Sequence, residues 1–131
     1  MLAAVAASVL AFAGPGSAAA GTELRIRLWT ESRDASAADR TWTLECAPAG
    51  GTLPQRAAAC RRLADTKNPF APIPKDLQCT QIYGGPAEAL VTGTYRGAKV
   101  WALLSRRDGC QIARWARIAF LTPGYRSFGP S

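Results

Sequence analysis

The sequence predicts an α+β domain: an antiparallel sheet of about five strands, one or two helices and two disulfides. Three observations carry that expectation. Several short runs alternate apolar and polar residues with a period of two, the signature of half-buried strands. One run is rich in Ala, Arg and Leu, which are good helix formers. The chain also holds 4 cysteines, an even number suited to pairing.

The elements follow in order. Leu24, Ile26 and Leu28 alternate with Arg25, Arg27 and Trp29, so residues 23–30 read as a strand. Glu31 to Arg40 is polar and irregular, a loop. Trp42 and Leu44 alternate with Thr41, Thr43 and Glu45, a second strand ending at Cys46. Pro48 to Gly51 is a turn. Thr52 with Gln55 three residues later, and Pro54 between them, suggests a capping box opening a helix over Gln55 to Ala64. Pro69, Pro72 and Pro74 make Asp65 to Lys75 a loop. Ala87 to Tyr95 and Lys99 to Ser105 read as a hairpin closed by Arg96-Gly97-Ala98. Ile112 to Leu121, with Ile118 and Phe120 on one face, reads as the last strand. Thr122 to Ser131 is rich in Pro and Gly and reads as a loose tail.

Composition narrows the function. At 131 residues the chain is one domain, and 48% hydrophobic with 19% charged residues is a globular composition. Histidine is absent, which removes Ser–His–Asp and Cys–His catalysis and His-ligated zinc. The isolated Asp residues form no recognisable carboxylate pair, so the chain is expected not to be an enzyme. The formal net charge of +7 would favour an anionic partner. No Lys/Arg run interleaved with aromatics appears, so nucleic acid is not an expected partner.

Residues 1–20 read as a signal peptide. Leu2 to Ala13 is apolar, Gly14-Pro15-Gly16 breaks it, and Ser17 to Ala20 supplies small residues for cleavage after Ala20. The apolar run is too short for a bilayer core of roughly 30 Å, so no membrane association is expected. The mature domain is then 21–131, exported to an oxidising compartment where Cys46, Cys60, Cys79 and Cys110 pair. Three pairings are open; the sequential one, Cys46–Cys60 with Cys79–Cys110, is the expected one. No spacing is CxxC, so neither a metal site nor a cofactor is expected. The paired Arg61-Arg62 and Arg106-Arg107 read as solvated charges, and the Trp residues as core or dimer contacts.

Three linked motifs carry a resemblance. Cys46-Ala47-Pro48-Ala49-Gly50-Gly51-Thr52-Leu53-Pro54 is followed by Ala59-Cys60 and Leu63; Cys79-Thr80-Gln81-Ile82-Tyr83 comes next; Gly93-Thr94-Tyr95-Arg96-Gly97 precedes Val100 and Cys110. Together they resemble the Streptomyces subtilisin inhibitor family over Leu44 to Cys110. Leu53 stands where that family usually has His, Thr80 where Pro is common, and Gln81 where Met or Lys is frequent. The resemblance implies a secreted, extracellular inhibitor of subtilisin-like serine proteases, and a homodimer through the sheet. The reactive bond would be Gln81–Ile82. Gln78, Cys79, Thr80 and Gln81 would fill the subsites before it, and Ile82, Tyr83 and Gly84 those after it. Two other functions are compatible with the residues: a non-inhibitory secreted binding module on the same scaffold, and a basic protein binding an anionic polymer or cell surface.

Overall fold

The computed structural model describes residues 21–34 and 36–125, so the signal-peptide expectation and residues 126–131 lie outside the described residues. Four strands form one antiparallel sheet: β1 (Thr22–Trp29), β2 (Arg40–Cys46), β3 (Glu88–Tyr95) and β4 (Ala98–Leu104), in the order β2-β1-β3-β4. Helix α1 (Arg56–Asp65) follows β2, and helix α2 (Gly109–Arg117) follows β4, with a 3-10 turn at Ala119–Leu121.

Period-two alternation sorts the sheet into two faces. Ile26 pairs with Trp42 on one side and Val91 on the other, and Val91 pairs with Ala102, so one apolar row crosses all four strands. Leu24, Leu28, Leu44, Ala89, Val100 and Leu104 extend that face. Ala59 and Leu63 of α1, with Trp115 of α2, Ile118 and Leu121, complete the core against it. The β3–β4 hairpin turns through Arg96 (φ 48°) and Gly97 (φ 82°), a left-handed pair whose twist suits tight hairpins.

The sheet has four strands where about five were expected. The segment read as the last strand is α2 and the 3-10 turn. Ile112, Trp115 and Ile118 recur every three residues, which places them along one side of a helix. The Asp108 side chain accepts a 2.9 Å bond from Gln111 N–H and so caps the helix start. Arg114 and Arg117 sit in its last turn, favourable against the helix dipole.

The start of α1 also departs from expectation. Gln55 is its N-cap in a left-handed conformation, without a side-chain cap. Thr52 is occupied elsewhere: its Oγ1 accepts from Thr43 N–H at 2.9 Å and its own N–H reaches Thr43 Oγ1 at 3.1 Å. Pinning to β2 outcompetes the cap. The presumed tail begins as packed structure. Thr122 is buried, its Oγ1 accepts from Trp115 Nε1 at 3.1 Å, and Tyr125 stacks on Trp115 at 5.1 Å.

Candidate functional site

Residues 66–87 connect α1 to β3 without regular structure, and their second half forms a protruding loop. Cys79 is half-buried and bonded to Cys110 in the first turn of α2. The Thr80 carbonyl accepts a 3.0 Å bond from Gly109 N–H at the start of the same helix. A Cβ on Gly109 would overlap Thr80 Oγ1, so glycine is what lets the loop lie this close. The helix misread as a strand is therefore the platform of the loop.

The far side of the loop is held differently. Gly84 N–H donates to the Arg106 carbonyl at 2.7 Å, and Arg106 Nε donates to the Gly84 carbonyl at 2.8 Å. Arg106 is read from the sequence as a solvated charge but is buried, because it follows directly on the end of β4 and there meets Gly84. Its neighbour Arg107 is exposed as expected.

Between these anchors Gln81, Ile82 and Tyr83 hydrogen-bond to nothing among the described residues. Thr80 and Gln81 are exposed, Ile82 is 48% exposed and Tyr83 65%. An exposed Ile beside an exposed Tyr is apolar surface placed in water, as a binding residue would be. Gln78 is exposed before Cys79, and Gly84 is half-buried. The seven residues expected to meet a protease thus form one continuous stretch, fixed at its two ends and open in the middle.

The other disulfide, Cys46–Cys60, joins β2 to α1. Both pairings are the sequential ones. Cys79, Asp108 and Cys110 lie close enough to suggest a metal set, but the two sulfurs are bonded to each other and the Asp108 carboxylate caps α2. Disulfide sulfur is no thiolate, so the trio offers one carboxylate only. Among the described residues no helix is long and apolar enough to cross a membrane.

Sequence reasoning missed Gly109 and Arg106 as supports of the loop. Asp108 with Gln111 three residues on was a legible helix start, and would have placed Gly109 at the base of a helix. Nothing local marks Arg106; its partner is 22 residues away.

The family model described as "Subtilisin inhibitor-like" matches residues 20–103. A protein named subtilisin inhibitor from Streptomyces violaceus is 38% identical over 74 residues, 53% of this chain. The chain spans about half the length of that relative, 50%. The crystal structure of Streptomyces caespitosus sermetstatin in complex with Bacillus licheniformis subtilisin is 22% identical, with a TM-score of 0.54 over 80% of this chain and 99% of that one. At that identity the likeness is one of fold.

Proposed function

Because the chain belongs to the subtilisin inhibitor-like family, we propose that it is a secreted inhibitor of subtilisin-like serine proteases that presents Gln81–Ile82 as a substrate-like bond. One observation carries the reading. Gln81, Ile82 and Tyr83 stand exposed, without a hydrogen bond among the described residues, between a disulfide-held start and a hydrogen-bonded end. A free peptide loses conformational freedom when it extends into a protease cleft, roughly 1–2 kcal/mol per residue. A loop already fixed at both ends has lost most of that freedom beforehand. Such interfaces bury about 1,600 Å², and nanomolar binding corresponds to about −12 kcal/mol.

Gln81 would fill the primary specificity pocket. It is long, unbranched and uncharged. A trypsin-like acidic pocket gains no ion pair from it, and an apolar pocket must desolvate its amide. Subtilisin-like pockets, which accept long unbranched side chains, fit it best. In this reading the protein is exported with cleavage after Ala20, and its two disulfides suit an oxidising compartment outside the cell. The second copy implied by the family resemblance would sit on the outer sheet face, where Trp101 is 63% exposed. A Trp101→Glu protein that stays dimeric in sedimentation would remove that seat.

The decisive experiment incubates the mature protein with subtilisin. We expect residual activity to fall toward zero at near-equimolar inhibitor, with any nick found by mass spectrometry between Gln81 and Ile82. Digestion at other sites without loss of protease activity would refute the reading. Gln81→Lys should move the preference toward trypsin-like enzymes; an unchanged preference would show that Gln81 does not enter the pocket.

A further inference from the structure

We propose that Arg106 is a positioning residue that keeps the leaving side of the candidate bond in reach for resynthesis. This rests on the inhibitor reading and goes beyond it, because it names what holds the half of the loop that has no disulfide. The Cys79–Cys110 bridge lies before Gln81–Ile82. After the bond, the next fixed point is Gly84, and both of its backbone polar groups are held by one residue, Arg106, at 2.7 and 2.8 Å.

The guanidinium also packs close against Gly84. A Cβ on Gly84 would come within 2.9 Å of Arg106 Nη2 and 2.9 Å of Ile112 Cδ1. Arg106 is only 3% exposed, so water does not compete freely for the Gly84 carbonyl.

In the cycle, the protease serine oxygen adds to the Gln81 carbonyl carbon. The Gln81–Ile82 C–N bond breaks, and the Ile82 nitrogen leaves as an amine carrying the proton given by the protease's general acid. Resynthesis is the reverse: the amine attacks the acyl carbon, returns its proton and frees the serine oxygen. Hydrolysis competes, with water taking the place of the amine and leaving a Gln81 carboxylate. The amine lies two residues from Gly84, so while the clamp holds it can stray about 7 Å at most. Holding it so close gives it a high effective concentration at the acyl carbon, which favours resynthesis over loss.

Two variants test this. Arg106→Met keeps the stem and removes the guanidinium. Gly84→Ala keeps Arg106 and drives the clamp apart. Each is mixed with a trace of subtilisin, and the intact-to-nicked ratio at Gln81–Ile82 is followed to its plateau by mass spectrometry, alongside thermal unfolding. Loss of a charge-assisted hydrogen bond should lower that ratio by about ten- to a hundred-fold. It should also turn lasting inhibition into temporary inhibition. A plateau ratio equal to that of the parent protein in the folded variants overturns the proposal, even if binding weakens, because that marks a merely structural role. If Arg106→Met does not fold, Gly84→Ala decides alone. Failure of the inhibitor reading is seen separately, in the parent protein, as no inhibition and cleavage elsewhere; that result overturns both.

Discussion

The Asp39 carboxylate closes the β1–β2 connection by accepting from Thr30 N–H at 2.6 Å and Thr30 Oγ1 at 2.8 Å. Those two bonds, the backbone one foremost, hold its carboxyl below the ordinary value of 3.8. A carboxyl depressed in the folded state stabilises above its unfolded value, and that contribution disappears as pH falls through the folded value. Asp39→Asn should therefore narrow the gap between the melting temperatures at pH 7 and pH 2, an effect absent if Thr30 does not hold the carboxylate. Trp115 is the other residue whose role is read directly. It is fully buried, bonds Thr122 and stacks on Tyr125. Trp115→Ala should cost about 3–5 kcal/mol in denaturant unfolding, the usual range for a deleted core aromatic. Leu53 is also fully buried, and its N–H reaches the Thr43 carbonyl at 3.0 Å. The leucine at this position, where the resemblance leads one to expect His, thus fills core space.

Among the elements, α2 has two duties. Its inner side carries Trp115 into the core, and its first turn carries Gly109 and Cys110 to the loop. Asp108→Ala removes the cap on Gln111 N–H and should cost about 1 kcal/mol. Because Gly109 follows directly, the same change should speed nicking of the loop by subtilisin; stability lost with an unchanged nicking rate would separate the helix from the loop. β1 and β2 were legible because alternate residues face water and the core, which writes a period of two into the sequence, and β3 and β4 because β-rich runs flank a short Gly turn. The span 112–121 fits more than one period because it has few large apolar residues, whereas the cap pattern just before it, Asp108 with Gln111, fixes it as a helix. The opposite holds at Thr52, where a cap pattern is present but the threonine bonds β2 instead.

At the scale of the molecule, two bridges of similar strength do different work. Each should contribute on the order of 3 kcal/mol through the unfolded chain. Cys46–Cys60 ties α1 to β2, where α1 brings only Ala59 and Leu63 into the core. Replacing that pair with alanines should lower stability and, under the inhibitor reading, leave inhibition intact at moderate temperature. Replacing Cys79 and Cys110 should lower stability comparably and also turn the protein into a substrate. Equal effects of the two pairs on inhibition would mean that the loop does not depend on its bridge. The net charge of +7 adds a kinetic expectation. Association with an acidic protease should slow as salt rises, with little change in dissociation.

The strands, the Arg96–Gly97 hairpin and the sequential cysteine pairing were legible in the sequence, because each depends on neighbours along the chain or on simple loop closure, while the stretch around Gln81 was legible only through its resemblance to a known family. The strand order β2-β1-β3-β4, the helical state of Gly109–Arg117 and the burial of Arg106 under Gly84 were decided only when the chain folded. The reason is physical. Local patterns record which face of an element meets water, whereas the meeting of Gly84 with a residue of the β4–α2 connection depends on how the whole sheet is ordered beneath the loop.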